Sequence, residues 1–184
     1  LHGWGADAED LIPLGKQLSK INGNSIELLS LHAPQLHPEG YGRQWYGLFP
    51  HDWDAVPLAI NELTERLRSI SSNSSIPLEK TILLGFSQGG AMALSVASHL
   101  SLAGLICCSA FPHPGWTPNK GMPPVLLTHG TEDNIVPYQA ASKLIELFSN
   151  KSIDAQLLSF KGDHQIPNTL LPSFRNAIEK WCLV

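Results

Sequence analysis

A serine held between two glycines, Gly85-Phe86-Ser87-Gln88-Gly89, constrains this chain more than any other stretch. The apolar run Thr81-Ile82-Leu83-Leu84 precedes it, and the helical pattern Ala91-Met92-Ala93-Leu94 follows. The predicted unit is a strand, a tight turn and a helix, with Ser87 at the tip of the turn. A residue at that tip takes up strained backbone, and glycines two positions away relieve the crowding between strand and helix. The hydroxyl then projects above the sheet edge, at a helix N-terminus whose free N–H groups favour negative charge. The plainer reading is a glycine-rich turn with a helix-capping serine. A base, an acid and an oxyanion donor at neighbouring strand ends would decide for a nucleophile.

Strand and helix patterns alternate along the chain. Asp7 is a predicted cap for a helix with Leu11, Leu14, Leu18 and Ile21 on one face. Ser25 to Leu31 reads as a strand, and 33–53 as a long irregular segment rich in Pro, Gly, His and aromatics. Asp54 then caps a second helix with Val56, Ile60, Leu63, Leu67 and Ile70 inward, ending at the polar loop 71–75. Strands are expected at 80–85, 103–109, 125–128 and 155–160, with helices at 88–100, 138–148 and 170–182. Such alternation predicts one α/β domain over 1–184, with a mostly parallel sheet and helices on both faces. The opening Leu1-His2-Gly3 reads as the end of a strand whose body lies outside this sequence. In a parallel sheet the site lies beyond the C-terminal strand ends.

Chemistry-bearing residues gather at that edge. His129-Gly130-Thr131-Glu132-Asp133 follows the strand at 125–128, and Gly162-Asp163-His164 follows the strand at 155–160. Ser87, Asp133 and His164 thus occur in the chain order of an α/β-hydrolase, each in its own loop after a strand. Serine is a poor nucleophile at its own pKa. A histidine, titrating near neutrality, takes its proton and returns it to the leaving group. A carboxylate fixes the imidazole tautomer. His129 and His113 rival His164, but His129 belongs to a turn and reads as structural; Glu132 and Asp163 rival Asp133. The oxyanion hole needs two backbone N–H groups. Gln88 supplies one, and the Leu1-His2-Gly3-Trp4-Gly5 turn supplies the other through Trp4.

Composition narrows the partners. A net charge of −4 and no basic run argue against nucleic acid. No apolar stretch reaches the roughly 18 residues of a membrane span. Three cysteines, two of them adjacent, make a poor disulfide framework and no metal spacing, so a reducing cytoplasm is expected. The eight histidines lack metal-ligand spacing as well, which disfavours a metal hydrolase.

The blocks LHGWG (1–5), GFSQGGAMAL (85–94), HGTEDNIVP (129–137) and GDHQIP (162–167) resemble the phospholipase/carboxylesterase family, which includes acyl-protein thioesterases. The resemblance implies an α/β-hydrolase fold with Ser87 as nucleophile and Asp133 and His164 as its partners. It implies Trp4 and Gln88 as oxyanion donors, with no metal and no organic cofactor. One departure stands out: in RQWYGLF (43–49), Gly47 occupies a position where the family commonly has aspartate. The loop 110–124 is too short for a lid, so an open site is expected. Trp45, Tyr46, Leu48 and Phe111 are candidate pocket walls, or else aromatics that seal the core under a long loop. The leading expectation is a serine esterase of broad specificity, acting on small-molecule or lipid esters. A thioesterase or lysophospholipase acting on long acyl chains, including acylated protein, is the alternative. A non-catalytic binding module on the same fold would be marked by a broken triad, and all three members are present.

Overall fold

The computed structural model describes residues 1–182. Four parallel strands form the central sheet in the order β5 (Ile82–Phe86), β6 (Gly104–Cys108), β7 (Val125–Gly130) and β8 (Ala155–Phe160). Before them lie two short antiparallel ribbons. One pairs β1 (Lys20–Ile21) with β2 (Asn24–Ser25); the other pairs β3 (Gln35–Leu36) with β4 (Arg43–Gln44). The helices are α1 (Ile12–Leu18), α2 (Val56–Ser74), α3 (Gln88–Ala97), α4 (Gln139–Ser149) and α5 (Leu171–Cys182).

Alternation along the strands sorts the core into two layers. Leu83, Leu105, Cys107, Val125 and Leu127 face a cluster closed by α2, α3 and α4. Ile82, Leu84, Ile106, Cys108 and Leu126 face a second cluster, closed by α1 and α5. Near-continuous apolar strands are what a sheet covered on both faces requires. The α5 stripe forms as its spacing predicts: Phe174 and Ile178 are buried, and Trp181 packs against the same cluster. Every residue of α3 is buried, because that helix lies between the sheet and α2.

Several expected elements shift. Residues 26–31 form no strand; their one backbone link outside regular elements is Ile26 N–H to Ser19 O, at 2.8 Å. A strand needs a neighbouring ladder, and apolar alternation alone does not supply one. The first helix begins at Ile12 with Pro13 in its first turn, not at Asp7, and Ile21 lies in β1. Asp7 instead closes a tight turn by accepting from Glu9 N–H. Asp52, not Asp54, accepts from Ala55 N–H ahead of α2. The polar residues 71–74 continue α2, which stops at left-handed Ser75 (φ 60°). Among the described residues, no helix lies between β6 and β7, and none is long and apolar enough to cross a membrane.

Leu1 to Gly3 runs beside the outer edge of β5. Phe86 N–H donates to Leu1 O at 3.0 Å, and the Leu1 amine donates to Leu84 O at 2.6 Å. This brings the 3–6 loop to the same sheet end as the loops after β5, β7 and β8. Phe174 is fully buried in the α5 layer. Phe174→Ala is expected to lower unfolding free energy by about 3–5 kcal/mol in urea titration, through lost burial and a residual cavity.

Candidate active site

Ser87 sits at the end of β5 with φ 53° and ψ −119°, a backbone conformation that side-chain-bearing residues rarely adopt. Its N–H is held by Cys108 O at 2.9 Å, and its carbonyl accepts from Ala91 N–H at 3.0 Å. The turn closes only because its flanks are glycine. A Cβ at Gly85 would collide with the Gly89 carbonyl, and one at Gly89 with the carbonyls of Leu1 and His2. Strain kept in place by such packing is a recurrent property of functional turns.

His164 Nδ1 lies 2.8 Å from Asp133 Oδ2, which leaves Nε2 free for chemistry. The Asp133 carboxylate is fully buried. Burial pushes its pKa up, but hydrogen bonds from His164 and from the backbone N–H groups of Val136 and Ile135 outweigh that, so the net shift is downward. The Asp133 loop is braced from behind by His129, whose Nε2 lies 2.8 Å from Val136 O. The Asp163 carboxylate turns elsewhere and accepts from the N–H groups of Asn134 and His164, tying the two loops together. His129 and Asp163, two of the four rivals, are thus occupied as supports. The Phe86 ring lies against the His164 imidazole, with centroids 4.7 Å apart.

Ser87 and His164 line one cavity of about 850 Å³, with no hydrogen bond between them among the described residues. Catalytic hydrogen bonds are often long before substrate binds. The walls are largely apolar, including Leu48, Trp53, Phe111, Trp116, Val136 and Leu147. Two of the expected wall residues are therefore in place, Leu48 and Phe111. Trp45 and Tyr46 are not among the lining residues, being 2% and 0% exposed. Their polar atoms point inward, where buried donors find partners: Trp45 Nε1–H donates to His2 O at 3.0 Å, and Tyr46 Oη is 2.8 Å from His113 Nε2.

Tyr46 thus reaches the cavity only through His113, which lines it. The other His113 nitrogen, Nδ1, is 2.8 Å from Ser95 Oγ. Sequence patterning gave no sign of this Tyr46–His113–Ser95 chain, because its members lie on three separate segments. Burial lowers the His113 pKa to about 4. The unfolded chain protonates this histidine near pH 6.5, so protons favour unfolding between about pH 6.5 and 4.

A family model described as Phospholipase/Carboxylesterase matches residues 1–182. The chain belongs to this family. Membership places it among hydrolases of esterase or thioesterase type on an α/β-hydrolase fold. It is similar to acyl-protein thioesterase 1 of Neurospora crassa, 26% identical over 188 residues, covering 88% of this chain and 73% of that protein. It is also similar to acyl-protein thioesterase 1 homolog 2 of Dictyostelium discoideum, 39% identical over 129 residues, covering 65% of this chain and 58% of that protein. Among solved structures, esterase PE8 superimposes with a TM-score of 0.87 at 26% identity, covering 98% of this chain and 89% of that one.

The His113 titration has a measurable consequence. Lowering the pH from 6.5 to 4 is expected to remove about 3 kcal/mol of stability through this one residue. His113→Gln is expected to flatten that part of the stability profile, measured by denaturant unfolding at stepped pH.

Proposed function

We propose that this chain is a serine carboxylic-ester hydrolase with Ser87 as nucleophile, His164 as general base and acid, and Asp133 as the orienting carboxylate. The observation that carries this reading is the 2.8 Å Asp133–His164 hydrogen bond opening onto the cavity that the strained Ser87 lines. In the acylation step, Ser87 Oγ attacks the ester carbonyl carbon and its proton passes to His164 Nε2. The carbonyl electron pair moves onto oxygen, stabilised by the backbone N–H groups of Trp4 and Gln88. Collapse expels the alkoxide, which takes the proton from His164. A water activated by His164 then attacks the acyl-enzyme and releases the acid by the same steps.

The apolar walls favour an acyl chain over a polar acid. Thioester cleavage of acylated protein is the second reading, and the two relatives named acyl-protein thioesterase favour it. The same displacement serves both, with a thiolate leaving in place of an alkoxide. The three free cysteines, two of them buried, support a cytoplasmic setting for one domain that needs no disulfide.

The parent protein is expected to turn over p-nitrophenyl butyrate with an initial burst and to be labelled by a fluorophosphonate probe. Ser87→Ala is expected to lose both labelling and burst, with kcat down by about 10⁵–10⁶. Parent-like turnover by Ser87→Ala would end this reading. Asp133→Asn is expected to lower kcat by about 10³–10⁴ through loss of the correct His164 tautomer. A chain-length series run on p-nitrophenyl esters and on acyl-thiol substrates separates the two readings by kcat/KM.

A further inference from the structure

Four consecutive residues, Arg43 to Tyr46, hold both sides of the proposed oxyanion hole. On the Trp4 side, Gly5 N–H donates to Arg43 O at 2.9 Å, and Arg43 N–H donates to Ala6 O at 2.7 Å. Trp4 Nε1–H donates to Gln44 Oε1 at 2.9 Å. On the Gln88 side, Trp45 N–H donates to Gln88 Oε1 at 3.1 Å, and Gln88 Nε2–H donates to Tyr46 O at 2.8 Å. Trp45 Nε1–H closes the frame on His2 O at 3.0 Å. Gly42 makes the approach feasible, since a Cβ there would collide with the Gly5 carbonyl.

Gln44 is 7% exposed, and its amide has no role in the ribbon ladder. Its carbonyl oxygen holds the Trp4 indole, while its Nε2–H donates to Gln35 Oε1 at 3.2 Å. The Trp4 ring is packed on its other sides by His37, with centroids 4.1 Å apart, and by Phe49, at 5.2 Å. The ring is therefore fixed laterally by packing and rotationally by one hydrogen bond. A ring held this way anchors the Trp4 Cα next to the peptide that Gly5 N–H ties to Arg43 O.

We infer that Gln44 is a positioning residue for oxyanion stabilisation, acting through its hydrogen bond to the Trp4 indole, and that Arg43–Tyr46 sets the spacing between the two donors. This inference rests on the reading of Trp4 and Gln88 as oxyanion donors. Trp4 is one of the residues lining the cavity, but the bond does not reach the nucleophile or the walls at Trp53, Phe111, Trp116, Val136 and Leu147. Its loss therefore affects the tetrahedral state more than substrate binding. Losing one oxyanion donor costs about 10²–10³ in rate, and loosening one costs less.

The test is a cycle of Gln44→Leu, Trp4→Phe and the double variant, assayed with p-nitrophenyl butyrate and a trifluoromethyl ketone inhibitor. The ketone forms a tetrahedral adduct on Ser87 whose oxyanion occupies the same hole. Gln44→Leu is expected to lower kcat by about 10–100-fold, leave KM within about twofold and weaken the ketone by the same factor as kcat. Gln44→Glu keeps an acceptor and is expected to recover most of kcat. Gln35→Leu breaks the ribbon-side bond alone and is expected to stay within about twofold of the parent. The double variant is expected to be no worse than the poorer single one, because both remove one bond. If Gln44→Leu does not fold, Trp4→Phe carries the test, since it removes the same bond and leaves the ribbon intact. An unchanged kcat in Gln44→Leu, a loss confined to KM, or losses that multiply in the double variant would overturn the inference. Those results with a Ser87-dependent parent reject Gln44 alone, whereas Ser87→Ala activity matching the parent rejects the triad beneath it.

Discussion

Close contact between the start of α3 and the backbone of Leu1 and His2 governs the geometry at this end of the sheet. Gly89 leaves no room for a side chain, so the helix seats directly against the edge segment. That seating fixes the turn before it, with Ser87 at positive φ. It also brings the 3–6 loop to the sheet end where Gln88 opens α3, and these two segments carry the N–H groups proposed as oxyanion donors. The strain is sustained by a helix that is buried along its whole length and has nowhere to relax.

The loops of the proposed triad are stabilised by further polar contacts. His129 holds the turn that carries Asp133, and the Asp163 carboxylate ties that turn to the His164 loop. The neighbours of the proposed catalytic groups in sequence thus become their supports in space. A histidine and a carboxylate that look redundant in the chain take different roles because their partners differ: His129 meets Val136 O, and Asp163 meets the N–H groups of Asn134 and His164.

The triad candidates were legible because each follows an apolar strand, and a parallel sheet delivers all such loops to one edge. The two-layer core was legible from the apolar strands and the α5 stripe. Residues 26–31 were misread as a strand because apolar content says nothing about whether a ladder partner lies alongside. Whether Trp45 and Tyr46 line the pocket or seal the core was not legible, because aromatic content does not reveal which way a loop side chain turns; their N–H and O–H groups find buried partners. Gln44 and the Tyr46–His113–Ser95 chain were invisible for a different reason. Their partners are 40, 67 and 18 residues away, and no local spacing encodes that.

In the proposed reaction the stretch from Arg43 to Phe49 serves two ends. Its first half grips the 3–6 loop, and Leu48 and Phe49 line the cavity within five residues of Gln44. One short segment thus touches both the 3–6 loop and the cavity. On the proposed reading, a lineage that reshapes this loop for a new acyl group works on the oxyanion contacts with the same few residues.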